Sequence, residues 1–277
     1  MLNALPACPK PIVLFLTFSC SVFGQELIKN GDFEGGRLPP WTSIQPAGSL
    51  IALTGENSPF HGIYPAGASS LRITDDNSDF EQPSFHQAFA PHDAILFGFD
   101  FKMLTVGDPT AWFVAWLGEN DTTAFFFSLG GADGTSVELN QQKISDLLPN
   151  VWYHVEGWAD APQQKLEGSI ISSDGVRSSF QGTYPFGVKS EFNAIVVSDG
   201  NAAANDVLLD NFYSRPITLD IASNAVGQQV ITWLAPGFTL QSTTGLGSGA
   251  TWTGVPSASG AYTNAFSGGV HFFRLTH

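Results

Sequence analysis

Residues 147–175 read Leu147-Leu-Pro-Asn-Val-Trp-Tyr-His-Val-Glu-Gly-Trp158, then Ala159-Asp-Ala-Pro-Gln-Gln-Lys165, then Leu166-Glu-Gly-Ser-Ile-Ile-Ser-Ser-Asp-Gly175. Two aromatic and β-branched runs, separated by Asp/Pro/Gln and closed by Asp-Gly, describe a β-hairpin. Alternate side chains of a strand face opposite ways. Val151, Tyr153, Val155 and Gly157 therefore share one face, and Trp152, His154, Glu156 and Trp158 the other. The second face mixes aromatic and ionisable groups, so it permits burial on both sides without requiring it.

The same pattern continues in both directions. Leu27–Glu34 reads as a first strand, followed by a Gly/Pro loop and Trp41. Residues 67–74 read as a small-residue loop feeding a strand, and 84–89, the strictly alternating 95–102, 112–117, 123–129, 192–198 and 207–213 as further strands, with a turn at Gly118-Glu-Asn-Asp121. Roughly a dozen short strands with turn signals at regular spacing imply an all-β, two-sheet antiparallel jelly-roll sandwich. Arg215-Pro216 marks a boundary. Beyond it, short strands among Gly/Ser/Thr turns make a small unit of about sixty residues, too small for an ambitious function.

The chain opens with Lys10 ahead of the apolar run Ile12–Val22 and a Val-Phe-Gly exit into Gln25-Glu26. That is the pattern of a secretory signal peptide, too short to span a bilayer. A lipoprotein signal at Cys20 fits less well, because Phe18 stands close ahead of it. The expected organisation is a signal peptide over 1–24, a jelly-roll domain over 25–215 and an accessory β-unit over 216–277. Cys8 and Cys20 leave with the leader, so core burial has to stabilise the mature chain without disulfides. Losing Lys10 takes the formal charge from −14 to −15. Such an acidic chain disfavours nucleic acid, anionic membrane and strongly anionic polysaccharide as partners, and no second apolar run is long enough for membrane insertion.

Five stretches carry a resemblance. Asn30-Gly-Asp-Phe-Glu-Gly-Gly36 with Trp41 resembles the opening of carbohydrate-binding jelly-roll modules of the galactose-binding-like type, and Gly67–Thr74 resembles their next signature. The central hairpin is similar to the middle of concanavalin A-like and laminin-G-like sandwiches, and Leu208-Leu-Asp-Asn-Phe-Tyr213 is an ending that both groups share. Residues 231–277 resemble a fibronectin-like C-terminal β-repeat of secreted proteins from some environmental bacteria. The resemblance implies a secreted, non-catalytic, lectin-like protein that binds polysaccharide or other glycan. It also implies a structural Ca²⁺ held by Glu34 (or Asp32) and Asp210, with carbonyls near Ser69–Ser70, since a hard cation takes oxygen ligands. The alternative for these acids is a solvent-facing turn and a strand-end cap. Asp75-Asp76-Asn77 with Asp79 reads as a solvated loop.

Sugar rings stack their C–H faces on aromatic rings while polar side chains bond the hydroxyls. Trp152, His154 and Trp158 are the first choice for such a platform, and Trp112 and Trp116 the second, with Tyr184 also available. For each tryptophan the competing role is core filling between sheets. Family-16-like glucanases place Glu-x-Asp-x-x-Glu on one strand for acid and nucleophile roles. Glu119-Asn-Asp121 matches two of those positions, but Ala124 stands at the third, and the segment reads as a turn. Lyase chemistry would need a His or Tyr base beside an Arg, and His86, His154, Tyr153, Arg72 and Arg177 are the available groups. An extracellular structural or surface-interaction protein is the reading from a different class.

Overall fold

Inward-facing aromatics decide how the strands of this chain associate. In the computed structural model, residues 25–76, 82–109, 111–183, 190–200, 204–224, 228–233, 238–246, 249–255, 260–264 and 271–276 are described. The leader, Asn77, Asp79 and Tyr184 lie outside them. The chain divides into two compact units, with the break between Thr218 and Leu219.

Among the described residues the first unit carries β1 (Thr42–Ile44), β2 (Ser49–Thr54), β3 (Ser70–Asp75), β4 (Ser84–His92), β5 (Ala94–Met103), β6 (Trp112–Gly118) and β7 (Thr123–Gly130). These are followed by β8 (Ser136–Leu139), β9 (Gln142–Asp146), β10 (Trp152–Asp160), β11 (Lys165–Ser172), β12 (Arg177–Thr183), β13 (Phe192–Asp199) and β14 (Asn205–Pro216). They form two seven-stranded sheets, ordered β1-β4-β13-β6-β7-β8-β9 (sheet I) and β12-β11-β10-β5-β14-β3-β2 (sheet II). The neighbours in both sheets pair antiparallel. This is the two-sheet antiparallel jelly-roll sandwich expected.

The core follows from period-two alternation. Phe97, Phe99 and Phe101 of β5 turn inward from sheet II, and Trp112, Trp116, Phe125 and Phe127 of β6 and β7 turn inward from sheet I, all fully buried. Their rings interlock across the layer: Phe97 lies 4.9 Å from both Trp116 and Phe125, Trp116 stacks on Phe125 at 5.1 Å, and Phe99 meets Phe127 at 5.4 Å. Burying one such side chain contributes about 2–3 kcal/mol, and a well-oriented aromatic pair about 1 kcal/mol more. The Trp116 indole N–H, buried with its ring, donates to Ser214 Oγ at 2.9 Å.

Leu27–Glu34 departs from the expected first strand. Asn30 and Phe33 sit at φ 55° and 54°, a left-handed geometry that a regular strand does not accommodate. The segment is instead fastened by Glu26, whose Oε1 accepts the amides of Ile28 and Ser214, and by the Leu27 amide, which donates to the Ser214 carbonyl. Ile28 and Phe33 still reach the core.

The C-terminal unit has β15 (Leu219–Ser223), β16 (Gln229–Trp233), β17 (Thr239–Thr243), β18 (Thr253–Gly254), β19 (Ala261–Asn264) and β20 (Phe272–Thr276). These make two three-stranded sheets, β15-β16-β19 and β18-β17-β20. Ile231, Trp233, Leu240 and Val255 are its buried apolar residues.

Trp112 and Trp116 are core residues in this arrangement, which corrects their assignment as a sugar platform: a ring with both faces packed has none left for a ligand. Trp116→Ala should lower the unfolding free energy by about 3–5 kcal/mol in chemical denaturation. An unchanged midpoint would contradict the packing described.

Candidate functional site

The outer face of sheet II carries the residues of the central hairpin that face away from the core. Strand register sets His154 opposite Asp100, Trp152 opposite Lys102 and Glu156 opposite both Gly98 and Ser169. On β14 the pairing shifts between Asp210 and Tyr213, a bulge in which Asn211 adopts φ 51°. A bulge redirects side chains, and Asn is among the residues that tolerate this conformation. Phe212 is thereby buried in the core, while Asn211 donates to Asp100 Oδ2 at 2.7 Å and to the Phe60 carbonyl at 2.9 Å.

The segment 55–69 between β2 and β3 lies over this face. Ser58 donates its amide to Asp210 Oδ2 at 3.0 Å, Tyr64 donates its hydroxyl to the Phe212 carbonyl at 2.7 Å, and the Phe60 ring lies 5.5 Å from His154. Below the segment, His154 Nδ1 contacts Asp100 Oδ1 at 2.5 Å and its Nε2 lies 3.5 Å from Glu156 Oε2. Arg177 reaches Glu156 at 3.2 Å and donates to Ser169 Oγ at 2.7 Å. Burial pulls the His154 pKa down, but the hydrogen bonds its ring donates to Asp100 and Glu156 outweigh it and raise the ring to about 9. The hydrogen bond with His154 in turn holds Glu156 below the usual carboxylate range, against its own burial.

Among the described residues, the tryptophans of this face form no open platform. Trp152 and Trp158 are each only 6% exposed. The Trp152 indole donates to Glu56 Oε1 at 3.3 Å, and Lys102, ion-paired with the same carboxylate, lies 5.9 Å from its ring centre. Trp152, His154 and Trp158 do share a face as expected, but Glu56 and Phe60 of the 55–69 segment contact Trp152 and His154, and Trp158 is buried. Their assignment as a stacking platform is corrected on that ground.

Glu34 and Asp210, the expected calcium ligands, both hold this segment. Glu34 Oε1 accepts the amides of Ala68 and Ser69 at 2.7 Å each, and Asp210 accepts those of Ser58 and Asn211. Burial drives Asp210 up to about 7 against these two amide hydrogen bonds, and the negative charges of Asp100 and Glu34 add to the rise. Among the described residues no cluster of three or more His, Cys, Asp and Glu side chains is placed to hold a metal. A calcium ion would have to draw most of its oxygens from backbone carbonyls or water.

The groups weighed for catalysis do not converge. Glu119–Asp121 is a single 3₁₀ turn, and Glu119 accepts a hydrogen bond from Ser190. His154 and Arg177 share a face but meet only through Glu156, and a histidine held protonated is a poor base. Tyr153 turns inward and stacks on Phe101 at 5.1 Å, Arg72 is paired with Asp206, and His86 lies on sheet I.

Sheet I presents a different outer face. A groove of about 410 Å³ is lined by Phe113, Ala115, Thr122, Thr123, Phe126, Val196 and Ser198. Val196, Ala115 and Phe126 are direct cross-strand neighbours in one row, and Ser198 and Phe113 are neighbours in the next. Phe113 and Phe126 meet edge to face at 5.2 Å and 85°, both half-buried. No lining residue is charged. Sequence reading followed the tryptophans and missed this face. Alternation in Trp112-Phe-Val-Ala-Trp116 already sets Phe113 and Ala115 opposite to the tryptophans.

No known protein family matches the chain, and no curated protein sequence matches it. Solved structures do. The cellulose-induced protein Cip1 aligns at 11% identity over 66% of this chain and 94% of its own, with a TM-score of 0.46. Peanut lectin aligns at 10% identity over 62% of this chain and 100% of its own, with a TM-score of 0.40. The catalytic domain of a glycoside hydrolase family 131 protein from Coprinopsis cinerea aligns at 12% identity over 54% and 70%, with a TM-score of 0.38. The strand pairings above define the fold independently of these likenesses.

His154 supplies a pH test of the cluster. Its folded pKa lies above the unfolded value of about 6.5, so its stabilisation is complete below that pH and is lost as pH rises through about 9. The wild-type chain should lose on the order of 3 kcal/mol across that window. His154→Gln should show no such loss, and an identical slope in both would contradict the pairing.

Proposed function

We propose that this chain is a secreted, non-catalytic glycan-binding protein whose binding surface is the groove on the outer face of sheet I. One observation carries the reading: Phe113 and Phe126, half-buried and edge to face, flank an uncharged groove with hydroxyl side chains on its walls. Aromatic faces take the C–H faces of sugar rings, and Thr122, Thr123 and Ser198 are the partners for ring hydroxyls. Neutral glycans suit a groove without charge on a chain of net charge −14, which would repel polyanions. Secretion rests on the leader sequence at 1–24.

A structural calcium ion belongs to the same reading. Glu34 and Asp210 fasten one segment from its two ends, and the negative charges of Asp100 and Glu34 act on the Asp210 carboxylate. A cation between them would relieve that repulsion. The non-binding, structural reading has its own support in the roofed outer face of sheet II, where both tryptophans are buried.

Retention of the mature chain on a panel of neutral polysaccharides tests the proposal. Retention is expected, and Phe126→Ala should weaken it about tenfold or more, the scale of one lost stacking contact. Trp152→Phe should leave it intact. Folded protein retained on no glycan would overturn the reading in favour of the structural one.

Calcium is tested separately by thermal unfolding. Added Ca²⁺ should raise the midpoint, by about 2.7 kcal/mol of stabilisation at a hundredfold excess over Kd. Asp210→Asn should abolish the rise, and no response in the wild-type chain would remove the ion from the account.

A further inference from the structure

We propose that the site takes several consecutive units of a neutral glycan chain laid across the strands of sheet I, from Phe126 on β7 to His86 on β4. The inference rests on the glycan-binding reading and specifies how much ligand the site engages. The row of cross-strand partners Phe126–Ala115–Val196 does not stop at the groove, because Val196 also pairs directly with His86. The row beside it, Phe113–Ser198–Ser84, likewise crosses from β6 through β13 to β4. Phe85 is fully buried, so alternation turns Ser84 and His86 outward, onto the face of Val196 and Ser198. These four are half-buried, whereas Ala115 is buried. A sugar would therefore rest on the side chains around Ala115 rather than on Ala115 itself.

Two observations extend the site to β4. Among the described residues, none hydrogen-bonds or ion-pairs with the His86 ring or with the Ser84 and Ser198 hydroxyls. On sheet II, by contrast, His154, Ser169 and Asn211 all have partners within the protein. Imidazole and hydroxyl groups can both donate and accept, so these three side chains of sheet I are available to ring hydroxyls. The second observation is a repeat. β13 and β4 each set a contact surface in one row and a serine hydroxyl in the next, Val196 with Ser198 and then His86 with Ser84. The repeat distance is one strand spacing, about 4.8 Å, close to the length of a pyranose unit in an extended chain. A ligand of repeating units meets both copies, whereas a single sugar can use only one. Three spacings separate β7 from β4, about 14 Å, so the row accommodates about three to four units. Neither row carries Asp, Glu, Lys or Arg between these strands, in keeping with a neutral chain.

Calorimetric titration of the full mature chain with size-graded oligosaccharides tests this. The probes are the cello-, laminari-, manno- and xylo-oligosaccharides from disaccharide to pentasaccharide. In at least one series the tetrasaccharide should bind about tenfold or more tightly than the disaccharide, the scale of one or two added hydrogen bonds. His86→Ala should cancel most of that gain while leaving disaccharide binding and the circular dichroism spectrum unchanged. Ser84→Ala is the second variant, should a change at His86 disturb the fold, and is expected to lower the same gain about threefold. Affinity that stops rising at the disaccharide in every series overturns the inference and leaves the glycan reading standing. A gain that survives both variants does the same. Binding of no oligosaccharide, with polysaccharide retention still sensitive to Phe126→Ala, also overturns it. Loss of that sensitivity as well is the separate failure of the groove as a glycan site.

Discussion

The interlocked ring layer between the two sheets is the constraint on which everything else in the first unit depends. Phe97 and Phe99 from one sheet, and Trp116, Phe125 and Phe127 from the other, fill the interior with no solvent exposure. Because strand side chains alternate, committing these positions inward commits their neighbours outward. Phe113, Ala115 and Phe126 face out because Trp112, Val114, Trp116, Phe125 and Phe127 face in. The groove is in that sense a by-product of the core, and its residues inherit their spacing from it.

The two outer faces solve different problems. On sheet II, Asp100, His154 and Asp210 are buried and must be paired. Asp100 is shared by His154 and Asn211, Glu156 by His154 and Arg177, and Asp210 holds the amide of Ser58. Such a network is costly to disturb once its members are desolvated. Its evident work is to fasten the 55–69 segment and the bulged end of β14. On sheet I the outward-facing groove is lined by apolar and hydroxyl side chains without charge.

Much of the fold was legible because it is local. The hairpin register, the facing of Trp152, His154, Glu156 and Trp158, and the strands at 84–89, 95–102, 112–117, 123–129, 192–198 and 207–213 follow from alternation and turn residues alone. The Leu27–Glu34 strand failed because side chains far away in sequence, not propensity, set its path: Glu26 binds Ser214, and Asn30 and Phe33 take left-handed geometry. β1, β2, β8, β9 and β12 went unread because strands this short carry little periodic signal.

The candidate site was less legible for a related reason. Spacing tells which residues share a face, but whether that face is open depends on what lies over it. Ser58, Phe60 and Tyr64, which contact β10 and β14, come from a segment about a hundred residues or more away in sequence. The measurement that goes most directly to the central claim is a backbone-amide NMR titration of the labelled mature chain with a retained neutral oligosaccharide. The account predicts shift changes clustered at Phe113–Ala115, Thr122–Phe126 and Val196–Ser198. Changes confined to His154, Glu156, Ser169 and Arg177 would contradict it.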